Sequence, residues 1–344
     1  MKAGVKLSEG PGHFEVKEID TPTLGEKDVL IRVKVSGVCG VDVLIYDWAI
    51  GKTFPAKLPL VLGHECSGMI ESLGKEVKGL KIGDRVTVES MIGCGNCYYC
   101  RQGLTNLCCL QWEHVGITFN GSFAQYLKAP MSIVHRLPEN VSFESGALVE
   151  PLSIVVNMFD RIKFTLGSII VIIGPGTLGL LVIQAARSYG ASQIIVIGLE
   201  KDEKRLLKAK ELGADLTIVA DREDPVARVL ELTHGIGSDV VVESGGTPES
   251  FNKAIQMASG QGQVVILGYS NYGETAPVRL ARQEISVFGV RAYRTRHFRQ
   301  ALQWLESNKV VTEAIISHRL DLAHAEKGIH LMRDKEASKV CLIP

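Results

Sequence analysis

Two textures of apolar and polar positions divide this chain. Up to about residue 150 the apolar residues come in short runs cut by glycine and proline, as in "DVLIRVKVSGV", "ECSGMIESLG", "GDRVTVES" and "GSFAQYLKAP". Such runs, bounded by turn residues, predict a mainly-β region. From about residue 165 the runs become continuous and rich in β-branched residues: "SIIVIIG", "QIIVIGL", "LTIVA", "DVVVES" and "GQVVILG". Between them, 177–189, 202–212, 224–233 and 248–258 read as helices. Strands buried on both faces have this composition, so the second region predicts an α/β domain with a doubly wound parallel sheet and right-handed crossovers. Past about residue 290 the pattern turns irregular, with an amphipathic stretch at 295–307 and a last short strand, "SKVCLIP", expected to return to the first region.

One run, "SIIVIIGPGTLGLLVIQAA" at 168–186, is apolar for nearly the length of a membrane span, but Gly174, Pro175, Gly176 and Gly179 interrupt it. A strand, a glycine turn and a helix explain it better than a span. In that frame Gly174 permits the tight turn, Gly176 lets the backbone approach a pyrophosphate, and Gly179 lets the helix pack against the sheet. The amides of Thr177 and Leu178 then open a helix N-terminus, where unpaired N–H groups favour phosphate. Glu200 follows at the end of the next strand, about twenty residues on, where a carboxylate accepts both ribose hydroxyls and favours NAD over NADP. Lys201, Lys204 and Arg205 stand close enough to attract a 2′-phosphate instead.

Length and charge narrow the picture. At 344 residues the chain exceeds one ordinary core, which favours two domains. Lys plus Arg equals Asp plus Glu at 38 each, so no bulk field draws nucleic acid or an anionic membrane, and the expected partner is a small molecule. The opening "MKAGVKLSEGPGHFEV" lacks the apolar core of a signal peptide, which predicts a cytoplasmic protein without disulfides. Clustered cysteines then point to metal. Cys94, Cys97, Cys100 and Cys108 follow the spacing C-x2-C-x2-C-x7-C, which suits a closed tetrahedral structural zinc, with Cys109 as the alternative to Cys108. A second metal, open to substrate, needs other ligands: Cys39 in "GVCGVD", and His64 and Glu65 in "LGHECSG", are a set that suits zinc with a vacant fourth position.

"VCGVD", "GHECSGMIESLGKEVKGLKIGDRV", the four-cysteine loop, "GALVEPLSIVVN", "GPGTLG" and "RLLKAKELGAD" occur in an order and spacing that resembles the zinc-dependent medium-chain dehydrogenases over nearly the whole chain. Within them the sequence is most similar to the polyol (sorbitol) dehydrogenase and threonine 3-dehydrogenase branch. The resemblance implies a mainly-β GroES-like catalytic domain from 1–152 and 291–344, with an α/β Rossmann dinucleotide-binding domain, 153–290, inserted. It implies NAD and two zinc ions per subunit. Cys39, His64 and Glu65 match the catalytic zinc positions, Glu150 matches the glutamate that reaches the metal or its water, and Asp42 matches the carboxylate that orients the metal-bound imidazole. Arg205, Leu267, Val290 and Arg291 complete the expected cofactor contacts. Zinc as a Lewis acid lowers the pKa of a secondary alcohol, whose carbon gives hydride to the nicotinamide and becomes a ketone.

The sequence also departs from that branch. Val41 and Leu44 stand where the branch commonly has a Ser or Thr and a His that pass the alcohol proton to solvent. Glu150 with ordered water, helped by Tyr46, is the expected replacement, and plain water exchange is the alternative. Trp48, Arg291 and Tyr293 are candidate substrate contacts, although Trp48 is equally placed as core filler and Ala292 replaces the arginine that polyol enzymes usually carry before that tyrosine. Arg294, Arg296 and Arg299 read as a solvated helix face. A polyol, sugar alcohol or related hydroxy-ketone is the first expectation for substrate, and a threonine-like 3-hydroxy amino acid the second. A zinc-free quinone reductase would lack the ligands at Cys39, His64 and Glu65, whereas a non-enzymatic NAD-binding protein of the same fold remains a rival. Strand 284–290 at the expected sheet edge, together with the resemblance, suggests a homodimer or homotetramer.

Overall fold

A computed structural model describes residues 1–49, 56–268 and 277–344. The chain forms two compact units, Met1–Ser153 with Tyr293–Ser307 and Ile316–Pro344, and Ile154–Ala292 with Asn308–Ile315. The first unit is built on the strand Asp28–Val38, which pairs antiparallel with Glu65–Leu73, Tyr126–Pro130 and the C-terminal Val340–Ile343. Val340–Ile343 pairs in parallel with His318–Asp321 in turn, so the last thirty or so residues are tied into the sheet begun by the first forty. Val29, Ile31 and Val33, all buried on Asp28–Val38, pack with Ile70, Val86, Leu127 and Ala129 in one apolar cluster. Burial of this kind contributes about 25 cal/mol per Å² of apolar surface.

The second unit holds a six-stranded parallel sheet in the order Leu216–Val219, Gln193–Gly198, Ile169–Ile173, Ser238–Glu243, Ala258–Ile266, Ser286–Gly289. In chain order this is 3-2-1-4-5-6, the doubly wound arrangement whose switch point lies beside the first strand. Ile170, Val171 and Ile172 are fully buried because helices cover both faces, which is why the sequence there is apolar without alternation. The run at 168–186 resolves into the strand Ile169–Ile173, a turn and the helix Thr177–Ser188. Among the described residues no helix is long and apolar enough to cross a membrane. Ser286–Gly289 ends the sheet on one side.

Candidate metal centres and dinucleotide site

Cys39 leaves the strand Asp28–Val38 and caps the helix Gly40–Tyr46, while His64 and Glu65 open the strand Glu65–Leu73. The register Gly37↔Glu65 sets these segments side by side. One ligand atom from each of Cys39, His64 and Glu65 lies within 4.8 Å of the others. His64 and Glu65 are 2% and 1% exposed, and His64 Nδ1 is buried without a hydrogen bond among the described residues. Buried polar atoms are normally paired, so a converging thiol, imidazole and carboxylate with an orphan ring nitrogen fits a cation, and this donor set suits zinc.

The surrounding charges hold the ligands in place. Asp42 lies 3.7 Å from His64 Nδ1, too far for a hydrogen bond. Its two oxygens instead accept the backbone N–H groups of Gly63 at 3.0 Å and Cys39 at 2.8 Å. Asp42 therefore holds the Gly63 and Cys39 amides next to the ligands, with the His64 imidazole, which it was expected to orient, 3.7 Å away. Burial pushes the Cys39 thiol and the Asp42 carboxyl up. Burial also pulls the His64 imidazole down, but the charges of Cys39 and Asp42 outweigh it and the net shift is upward. Lys339, 1% exposed, ion-pairs with Glu65 Oε2 at 2.5 Å and donates to the Val38 carbonyl at 2.9 Å. Sequence reasoning missed this lysine; its one signal was a charge inside the apolar strand "SKVCLIP".

Glu150, 4% exposed near the start of the helix Val149–Arg161, is not within the three-ligand cluster. Its Oε1 accepts from Ser90 Oγ at 2.8 Å, a partner that no motif announced. Burial raises the Glu150 carboxyl, and the His64 charge opposes that. Tyr293, expected as a substrate contact, is 2% exposed and its hydroxyl accepts the Ser90 backbone N–H at 2.8 Å and lies 3.0 Å from Ser90 Oγ. It thus backs Ser90 behind Glu150. Tyr46 also departs from expectation: its hydroxyl donates to Glu326 at 2.7 Å and lies 3.0 Å from His330 Nε2, and burial pushes the phenol up to about 12. Val41 and Leu44 pack against the apolar core.

Trp48 adopts φ 56° just past the helix Gly40–Tyr46, an uncommon conformation for a bulky residue. The fully buried Lys6 steadies that turn, donating to the Tyr46 carbonyl at 3.0 Å and to those of Gly10 and Gly12, and lying 5.8 Å from the Trp48 ring centroid. Such an ammonium–indole pair is attractive and offsets part of the local strain.

Cys94, Cys97, Cys100 and Cys108 bring their sulfurs within 4.8 Å of one another, with Cys94–Cys100 at 4.0 Å and Cys97–Cys108 at 3.9 Å. A tetrahedron with zinc–sulfur bonds of about 2.3 Å has edges of about 3.8 Å, so the loop fits the ion. Cys109 is exposed and outside the set. Backbone N–H donation from Cys100 holds the Cys97 thiol down to about 6, while burial pushes Cys100 up to about 12. Four thiolates at this spacing need a cation to ionise together.

In the second unit Gly174 sits at φ 99°, a backbone conformation open to glycine, and a Cβ at Gly179 would run into the Gly174 carbonyl. A Cβ at Gly176 would meet nothing among the described residues within 4 Å, so the turn is open at the start of the helix Thr177–Ser188, beside Thr177 and Leu178. Glu200, 62% exposed on its side chain, accepts from Arg222 at 2.8 and 3.1 Å. Arg205 is buried against Asp202, to which it is hydrogen-bonded, and so does not stand open to a cofactor as sequence reasoning expected. The amides of Leu267 and Val290 bond to Glu243 and Ile266 carbonyls at the ends of the sheet strands, and Arg291 is exposed. Arg296 and Arg299 lie on the exposed side of the helix Thr295–Glu306 and Arg294 caps it, half-buried.

Two family models match the chain: the alcohol dehydrogenase GroES-like domain over residues 25–139 and the zinc-binding dehydrogenase over 177–307. The chain belongs to the zinc-dependent medium-chain dehydrogenases and is an oxidoreductase of that family, with a GroES-like and a Rossmann-type domain. It is 38% identical to a sorbitol dehydrogenase of Halalkalibacterium halodurans over 100% of this chain and 99% of that one. It is 33% identical to an L-threonine 3-dehydrogenase of Bacillus subtilis, again over 100% and 99% of the two chains. A solved structure of 2R,3R-butanediol dehydrogenase from Bacillus subtilis superposes with a TM-score of 0.90 at 29% identity, covering 100% of this chain and 99% of that one.

Proposed function

We propose that this protein oxidises a secondary alcohol of a polyol, sugar alcohol or related vicinal diol to the ketone, with NAD as hydride acceptor, and that it runs the reverse reduction as well. The observation that carries this reading is the convergence of the half-buried Cys39 with the buried His64 and Glu65, His64 Nδ1 having no hydrogen bond among the described residues. Zinc bound there would supply Lewis-acid activation of the substrate hydroxyl. Glu150 takes the role of proton acceptor, held in place by Ser90, and Trp48 forms a wall of the substrate pocket on the turn that Lys6 locks. The Gly174–Gly179 turn cradles the pyrophosphate, and Glu200 accepts the adenosine ribose hydroxyls once Arg222 lets go, which an exposed ion pair does at little cost. Four cysteines, 94, 97, 100 and 108, hold the second, structural zinc. A cytoplasmic location goes with this reading, since a reducing compartment keeps those thiols available.

L-Threonine is the second substrate reading, supported by the full-length match to a threonine 3-dehydrogenase. Pairing of two copies along Ser286–Gly289 would satisfy the open sheet edge and make a homodimer, which light scattering measures directly. The test of function is NADH formation across sorbitol, xylitol, 2,3-butanediol, inositol and L-threonine. Turnover concentrated on the polyols and the diol supports the reading; turnover confined to threonine, or absent with NADH still bound, overturns it.

A further inference from the structure

An arginine that no motif singled out is paired with Glu200. The ladder between the second and third strands of the parallel sheet, Gln193–Gly198 and Leu216–Val219, ends at Gly198↔Val219, and the Ala220 amide extends it by donating to the Gly198 carbonyl at 2.9 Å. The chain then turns, with the Arg222 amide donating to the Val219 carbonyl at 2.9 Å. That turn sets Asp221 and Arg222 beside Glu200, which opens the short helix after Gln193–Gly198. Asp221 Oδ2 accepts the Glu200 backbone N–H at 2.5 Å. Arg222 takes the side chain: its Nε and Nη2 both donate to Glu200 Oε1, at 3.1 and 2.8 Å.

This fork uses one edge of the guanidinium. The donors of an arginine lie in one plane, and the outer pair, on Nη1 and Nη2, points away from a group bound through Nε and Nη2. An end-on pair of that kind matches two phosphate oxygens. The Arg222 side chain is 56% exposed, and it lines an open groove of about 600 Å³ together with the rest of the loop 220–226 and with Lys253 and Gln256 of the helix Pro248–Met257. There is room beside it for a phosphate. Glu200, Glu203 and Asp221 all act on its charge, so without Arg222 this corner would present those carboxylates alone to an incoming anion. Lys201 and Lys204 are exposed on the neighbouring segment, and Arg205, the third cation expected here, is buried against Asp202.

We propose that Arg222 is a specificity-determining residue for the dinucleotide: bridging Glu200 and a 2′-phosphate, it lets the site take NADP as well as NAD. The inference rests on the cofactor reading above and deepens it. With NAD, the ribose hydroxyls replace Arg222 on Glu200, and an exposed ion pair yields at little cost. With NADP, a bare Glu200 would repel the phosphate. Arg222, kept on Glu200, cancels that charge and bonds the phosphate through its outer fork. Loss of Arg222 therefore acts on one dinucleotide and spares the other.

The experiment measures Kd for NADH and for NADPH by nucleotide fluorescence in the zinc-loaded wild type, Arg222→Ala and Arg222→Lys. The expected result is binding of both dinucleotides by the wild type, a loss of about tenfold to a hundredfold for NADPH in Arg222→Ala with NADH changed by less than about threefold, and partial recovery of NADPH in Arg222→Lys, which keeps the charge without the fork. A wild type that binds NADH but not NADPH, equal losses of both dinucleotides in Arg222→Ala, or an unchanged NADPH affinity there, which would leave the phosphate to Lys201 and Lys204, overturns the inference. A wild type that binds neither dinucleotide overturns the cofactor reading itself.

Discussion

The residues around the three-ligand cluster include charged groups that are buried and matched to one another. Lys339 and Glu65 are each 1% exposed, and removing one charge strands the other in a low-dielectric site. Lys339→Met is expected to cost the metal-free protein about 3–5 kcal/mol, and clearly less with zinc present, because the cation then neutralises Glu65. Denaturant melts with and without added zinc measure the difference, and equal losses in both would remove the metal from the argument. Glu150 makes the second case. Burial raises its carboxyl, the direction that suits the proton-accepting role proposed for it. Glu150→Gln is expected to lower kcat by about a hundredfold or more and to flatten the acidic limb of the pH profile. An unchanged profile and turnover would leave proton release to water. These pairings were only half legible in the sequence. Cys39, His64 and Glu65 were found because their residue types announce a metal, but Lys339 and Ser90 are ordinary residues whose value comes from long-range pairing.

At the scale of elements the sequence was read most securely where burial dictates composition. The strand Ile169–Ile173 had to be apolar on both faces, and the helix after it had to begin at a glycine turn, so that unit was visible before any coordinates. Tyr46 misled because it is near Cys39 in sequence. The helix Gly40–Tyr46 carries it about 10 Å along the axis, at 1.5 Å per residue, into bonds with Glu326 and His330. Tyr293 misled in a similar way, since only the fold shows Ser90 occupying its hydroxyl. The C-terminal strand His318–Asp321 is pinned to the helix Phe143–Ala147 by the two-pronged pair Arg319–Glu144, at 2.6 and 2.7 Å. The Arg319 hydrogen bond lowers the Glu144 pKa, so the pair stabilises the fold above the ordinary carboxylate range of about 4.3 and loses that contribution as pH falls through the depressed folded value. Glu144→Gln should cost about 0.5–1 kcal/mol at pH 7, since Arg319 is half exposed, and the gap to wild type should close as pH falls through the depressed folded value. A gap that persists in acid would show that packing, rather than charge, holds the two elements.

For the whole molecule, the division of labour follows from what each unit can hold. The unit that contains both chain ends gathers both candidate metal centres, and the parallel sheet carries the Gly174–Gly179 turn and Glu200 proposed for the cofactor. A zinc that activates the alcohol and a cofactor that takes the hydride are complementary parts of one reaction. What the sequence could not convey at this scale is which alcohol fits, because the motifs name metal ligands and turns rather than the side chains that would surround a substrate. Zinc held by Cys39, His64 and Glu65 is expected to do the chemistry, while zinc held by the four cysteines only holds its loop. The most direct measurement is zinc content together with polyol-dependent NADH formation in Cys39→Ser. The account predicts about one zinc per chain in place of two, an intact fold, and NADH formation reduced by at least about a hundredfold. A variant that keeps wild-type turnover with one zinc per chain would contradict it.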